Sequence, residues 1–193
     1  MPDTRQLIID AARQVLRDQG YGAISVRKVA AAAGVPLSQI HYHFGSKQKL
    51  LLALYEDEDR RRLERQTDLY AGDERLSEQW DRACDYLEVD LAEGYVRVLM
   101  EMMAAGWSDP EIAGAVRERT AGWIGVLSDA AARAQESGVR LGDFTADELA
   151  ALTAAMFIGA EAMILSEDAS AADARSALRK LGGVIRAAEG GSA

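Results

Sequence analysis

Apolar positions recur at helical spacing along almost the whole chain. Leu7, Ile8, Ala11, Ala12, Val15 and Leu16 form one stripe of a first helix predicted over Thr4 to Gln19 and ended by Gly20. Tyr21 and Ile24 are expected to pack beneath the next helix. Behind Ser25, a good N-cap, Val26, Val29, Ala30 and Ala33 repeat with the same period. Gly34 suits a left-handed C′ position, with Val35 as the hydrophobic residue that follows it. A second short helix carries Ile40 and Phe44 four residues apart, on one face. Two short helices joined by a tight glycine turn make a helix-turn-helix.

Ser46 then caps a long helix through Leu50, Leu51 and Leu54 and past Leu63. After a polar break at Ala71-Gly72-Asp73, the pattern predicts helices over Arg75 to Ala92 and from about Gly94 to Gly106. Ser108-Asp109-Pro110 supplies a cap and a first-turn proline for a long helix ending near Gly138. Leu141 to Phe144 reads as loop, and Thr145 with Glu148 as a capping box opening another helix. Asp168 to Ala171 turns the chain into a last helix bearing Leu178, Leu181, Val184 and Ile185, and Gly190 to Ala193 reads as a frayed tail. The expected fold is all-α: an N-terminal three-helix helix-turn-helix domain over residues 1–48, then a larger helical bundle over 49–193. The boundary falls inside the long linking helix.

The most apolar run, Leu149 to Leu165, is interrupted by Thr153 and Glu161, and reads as a buried helix rather than a membrane span. The last two long helices are apolar over more than one stripe, with Gly159 and Ala160 permitting close approach. Two such helices per subunit would build a four-helix homodimer interface; burial within one chain is the alternative.

Charge changes the picture at the N-terminus. The chain carries a formal net charge of −9, yet no Asp or Glu occurs from Gln19 to Tyr55. That window holds both histidines, His41 and His43, and three of the four lysines, Lys28, Lys47 and Lys49. A basic head on an acidic body suits binding of double-stranded DNA with little non-specific adhesion by the rest. Cys84 stands alone and no basic-then-apolar leader opens the chain, so a reducing cytoplasm is expected.

At about 100° per residue, Ile40, Phe44 and Leu37 face the core. Ser38, Gln39, His41 and Tyr42 are then free to enter a major groove, with His43 at the edge near a phosphate. Gln39 is the best direct reader, since glutamine pairs bidentately with adenine. The helix start at Ser25 presents backbone N–H groups to a phosphate, and Lys47 stands at the N-terminal end of the linking helix. The candidate DNA-binding set is Ser25, Arg27, Lys28, Ser38, Gln39, His41, Tyr42, His43 and Lys47. Two residues apart on a helix, His41 and His43 point about 200° away from each other, so no metal pair is expected.

The run Glu56-Asp57-Glu58-Asp59-Arg60-Arg61-Arg62 pairs Glu56 with Arg60, Asp57 with Arg61 and Glu58 with Arg62, each an acid four residues before a base, which predicts a solvated, salt-bridged helix rather than a metal site. The middle helices concentrate adaptable side chains. Trp80, Met100, Met103, Trp107 and Trp123 are candidates to line a small-molecule pocket, though the same residues serve equally as core. Asp90, Glu93 and Glu101 read as solvated, and Cys84 as a packed thiol. No nucleophile–base set or metal-ligand set emerges, so neither an enzyme nor a cofactor is expected.

Residues 4 to 55 resemble the DNA-binding domain of the TetR family of bacterial transcriptional regulators. The resemblance rests on Ile24-Ser25-Val26-Arg27-Lys28-Val29-Ala30, on Ala33-Gly34-Val35, and on Ile40-His41-Tyr42-His43-Phe44 followed by Ser46-Lys47 and Leu50-Leu51. It implies a homodimeric, ligand-responsive repressor on a near-palindromic operator, released by a small-molecule effector. It also implies that Arg27, His41, Tyr42, His43 and Lys47 touch bases or backbone. Pro36 and His41 depart from the usual Ser and Tyr, which leaves the preferred DNA sequence open. The alternatives are an all-helical ligand carrier or small enzyme, and a protein-interaction module, whose head only resembles a DNA reader.

Overall fold

A computed structural model describes residues 3–140, 142–166 and 170–190, and no strand occurs among them. The helices are α1 Thr4–Gln19, α2 Val26–Ala33, α3 Leu37–Phe44, α4 Lys47–Ala71, α5 Leu76–Ala92, α6 Tyr95–Gly106, α7 Pro110–Glu136, α8 Ala146–Leu165 and α9 Ser170–Gly190. A single 3₁₀ turn, Tyr21–Ala23, separates α1 from α2. The chain is thus all-α, with the three short helices of a helix-turn-helix head followed by longer ones. Leu141 of the expected loop, Asp168 and Ala169 of the expected turn, and Gly191 to Ala193 of the expected tail lie outside the described residues.

The residues gather into two compact units, Met1–Arg61 with Val89–Arg117, and Arg62–Glu88 with Glu118–Ala193. In the first, α1 buries Ile8, Ile9, Ala11, Ala12, Val15 and Leu16. Leu7, expected on that stripe, is 39% exposed, because the buried arc is centred one residue further along, on Ile8 and Ile9. Gly94 precedes α6 at φ +83°, and a Cβ there would come within 2.9 Å of Leu16 Cγ, so glycine alone fits.

The charged run on α4 departs from its expectation. Asp57 pairs with Arg61 at 3.4 Å as the spacing predicts, and with Arg60 at 2.9 Å. Its main work is elsewhere. Asp57 and Glu58 both accept hydrogen bonds from Arg13 of α1, and the three side chains are mostly buried. Asp59 is buried and accepts from the Tyr95 hydroxyl at 3.1 Å, while Arg62 is buried as well. Arg60 and Arg61 are exposed along the stretch, while tertiary partners claimed Asp57, Glu58, Asp59 and Arg62. Asp90 is also buried, not solvated.

The second unit has an aromatic centre. Phe157 of α8 meets Trp80 of α5 and Trp123 of α7 edge-on, at 5.4 Å and 6.2 Å between ring centroids. Trp80 Nε1 donates to the Leu178 carbonyl at 2.7 Å, and the Ser77 hydroxyl donates to Glu189 at 2.6 Å, so α9 is tied to α5 at two levels. Cys84 is buried, and burial pushes its thiol up to about 11, so it is a packed side chain and not a thiolate at neutral pH.

α8 is long and apolar enough to cross a membrane, yet only 33% of its apolar window is buried in the single chain. The helix is therefore open along one side of the single chain. Its packed side carries Ala154, Phe157, Ala160, Glu161 and Ile164, while Leu152 and Met163 face outward.

Candidate nucleic-acid interface

α2 begins where the sequence places it. The Ser25 hydroxyl accepts from the Lys28 N–H at 3.2 Å, with Ser25 in extended backbone at φ −140° and ψ 151°. It ends in a Schellman turn: Gly34 takes φ +65°, its N–H reaches Ala31 O, and the Val35 N–H reaches Ala30 O at 3.0 Å. This fixes the angle at which the chain enters α3. Pro36 supplies no side-chain cap, and the Gln39 N–H turns instead to the Pro36 carbonyl at 2.9 Å.

α3 is anchored on one side and open on the other. Ile40 is 0% exposed and Phe44 is 6% exposed, with the Arg5 guanidinium 5.5 Å from the Phe44 ring centre. Ser38 and His41 are exposed, Gln39 and His43 are half-buried, and Tyr42 is 82% exposed. The Tyr42 and His43 rings meet edge to face at 5.0 Å, so each limits the other's rotamers. His41 Nδ1 lies 3.4 Å from the Gly45 carbonyl oxygen, a contact too long to hold the ring firmly. Ser25, Arg27, Lys28 and Lys47 are all exposed. The structure thus brings the nine candidates onto α2, α3 and the start of α4, with no carboxylate between Gln19 and Tyr55 to offset them.

Lys47 has a second set of neighbours that sequence reasoning missed. Its Nζ stands 5.3 Å over the ring of Tyr21. The Tyr21 hydroxyl is bonded to Glu101 of α6, and burial, then that carboxylate's charge, raise the phenol's pKa. Tyr21, Lys47, Leu51, Glu101 and Met102 line a shallow cleft of about 370 Å³. Nothing local in the sequence links Glu101 to Lys47; their meeting is a product of the fold.

The five pocket candidates do not form one group. Trp80 and Trp123 meet through Phe157 in the second unit, whereas Met100, Met103 and Trp107 belong to the first. Trp107 is 89% exposed, too open to line an enclosed cavity. A buried ion pair between Arg62 and Glu161 escaped the sequence reading. Its only signal was an isolated carboxylate in the most apolar run of the chain.

Residues 8–54, which span every element of this head, match the family model of bacterial regulatory proteins of the tetR family. The helix-turn-helix head is therefore similar to the DNA-binding domain of that family. Among curated proteins, the chain is 42% identical over 52 residues to the regulator BetI of Rhizobium meliloti, a match covering 27% of this chain and 26% of BetI. The chain therefore spans about a quarter of BetI's length in that match. It is 24% identical over 194 residues to the regulator UidR of Escherichia coli K12, covering 95% of this chain and 94% of UidR. The likeness in fold extends over nearly the whole chain: a transcriptional regulator from Saccharomonospora viridis, solved in complex with choline, superposes with TM-score 0.76 at 21% identity, over 94% of this chain and 96% of that one.

Proposed function

We propose that this chain is a cytoplasmic, homodimeric repressor of the TetR family that binds a near-palindromic operator and is released by a small-molecule effector. The observation that carries the DNA-binding part is the open face of α3: Ser38, Gln39, His41 and Tyr42 project from a helix whose other face is locked by Ile40 and Phe44. Residues 1–48 would read DNA, and residues 49–193 would bind the effector and dimerise. Within the reading domain, Ser38, Gln39, His41 and Tyr42 face bases, Ser25, His43 and Lys47 face phosphates, and Arg27 and Lys28 complete the DNA-binding set. Two heads of a dimer fit successive major grooves about 34 Å apart.

The homodimer reading is supported by the outer side of α8 and α9. There an apolar cleft of about 410 Å³ is lined by Met156, Gly159, Met163, Leu178 and Leu181. Val184 and Leu152 add exposed apolar surface, 59% and 54% exposed. A second copy packing its own α8 and α9 there would cover these side chains. The choline held by the S. viridis regulator supports a small-molecule site in the helical body. Trp80 and Trp123 are its best candidates here, since both sit at the aromatic centre. α4 runs from the head into the second unit and is the element able to carry an effector's influence; the coupling typical of such links is about 1–3 kcal/mol.

Two point variants test the division of labour. Lys47→Ala should weaken binding to all DNA sequences alike and flatten the salt dependence of log K by about one unit. Gln39→Ala should relax discrimination at one base position, at a cost of about 1–3 kcal/mol against the preferred base only. Fluorescence anisotropy titrations over a salt series, on matched and single-mismatch duplexes, separate the two. Identical behaviour of the variants would overturn the assignment.

A further inference from the structure

Deep in the second unit, polar side chains gather that neither the DNA-reading face nor the dimer face uses. Glu161 of α8 is 0% exposed and accepts from Arg62 Nη2 at 3.2 Å. The guanidinium carbon of Arg62 lies 5.1 Å from the centre of the Trp123 ring, whose edge packs on Phe157. One turn beyond Arg62 on α4, Gln66 is 4% exposed. Outside the ion pair, two atoms of this group have no hydrogen-bond partner: the Trp123 Nε1–H, a donor, and Gln66 Oε1, an acceptor. Packing alone does not explain them, because the neighbouring Trp80 satisfies its own Nε1–H on the Leu178 carbonyl. Buried polar atoms in folded proteins are nearly always paired, so each orphan is an unmet demand.

We propose that Trp123 and Gln66, with Phe157 and the Arg62–Glu161 pair, form the effector site, and that it takes a small uncharged molecule with an aromatic body and a hydroxyl group. This rests on the regulator reading above and names the chemistry of its effector. A hydroxyl is the smallest group that accepts from one partner and donates to another, which is what an indole N–H and an amide oxygen together require. An aromatic body continues the edge-on stacking already present among Trp80, Phe157 and Trp123. Arg62 and Glu161 already neutralise each other, so an ionic ligand would either break that pair or bring an unmatched charge into the core.

Calorimetric titration of the full chain with phenol tests this, with toluene, benzoate and benzyltrimethylammonium as the apolar, anionic and cationic counterparts. Phenol should bind saturably, and each of the other three about tenfold more weakly or not at all. Trp123→Phe keeps the ring and removes the N–H; Gln66→Leu keeps the bulk and removes the acceptor. Each should weaken phenol about fivefold while helical circular dichroism is unchanged. Absence of saturable phenol binding, equal affinity for toluene, preference for either ion, or variants that bind like the unmodified chain would each overturn the proposal. A trapped water filling the orphans would show as the first of these outcomes. Operator binding is measured on the same preparations without ligand. If it is intact and phenol fails, the site is wrong and the regulator stands; if it is absent, the regulator reading fails and the phenol titration still judges the site.

Discussion

Replacing Glu161 with alanine should cost about 3–5 kcal/mol of folding stability, the largest loss expected from any single side chain discussed above. The Arg62 side chain is 9% exposed and the Glu161 side chain 0%, so water cannot take over the lost partner's place. The pair itself contributes little beyond what well-packed apolar residues would; breaking it removes the countercharge from a buried guanidinium. Against a total stability of about 5–15 kcal/mol for a typical domain, such a loss brings the second unit close to unfolding. For a chain of this size it corresponds to a fall in Tm of roughly ten degrees. Glu161→Gln keeps the shape and an acceptor oxygen, and should lose less than the alanine variant. Because Arg62 also lies against Trp123, tryptophan fluorescence should change with the same substitutions. A loss under about 1 kcal/mol for Glu161→Ala, read by urea denaturation, would contradict the buried placement of the pair.

Arg13→Ala should be nearly as damaging, by about 3 kcal/mol, and for a different reason. Arg13 donates to Asp57 and Glu58 of α4 and to Asp10 of its own helix at 2.6 Å, so one cation joins α1 to the linking helix. Its removal leaves two mostly buried carboxylates side by side, with Arg60 and Arg61 still near Asp57. Part of the loss is pH-dependent. Burial pushes the Asp10 carboxyl up, but hydrogen bonds from Arg13 and Gln6 outweigh it and hold the group below the usual carboxylate range. The stability Asp10 contributes is therefore complete above its unfolded pKa and is lost as the pH falls through the depressed folded value. In the variant that acid-sensitive share shrinks, so the gap between the two proteins should narrow from pH 6 towards pH 3. Thermal denaturation across that range reads it. A gap that widens on acidification would contradict the ion-pair geometry.

The head was legible in sequence because its determinants are local. Ser25 bonds three residues ahead, Gly34 needs a left-handed backbone at its own position, and Ile40 and Phe44 share a face within one turn. The angular positions along α3 translate directly into the observed exposures of Tyr42 and Ile40. What failed was long-range. The i,i+4 rule assigned Glu58 to Arg62, but Glu58 found Arg13 and Arg62 found Glu161, partners 45 and 99 residues away. Local pairing is weak on a solvated helix, about half a kilocalorie per pair, so any well-placed tertiary partner overrides it. Hydrophobic pattern likewise cannot tell a helix buried in one chain from one left half-open, and α8 is the second kind. Aromatic richness drew attention to Trp107 together with Trp123, although the first is exposed and the second is at the core.

The central claim is that α3 reads DNA in a two-fold symmetric complex. Selection of duplexes from a random pool by the full chain, followed by sequencing, tests it most directly. The account predicts enrichment of an inverted repeat with half-sites about one helical turn apart, bound with a strongly salt-dependent affinity, and loss of that enrichment in the Tyr42→Ala, Lys47→Ala double variant. A pool that returns no shared sequence, or an enrichment that the double variant reproduces unchanged, would contradict it.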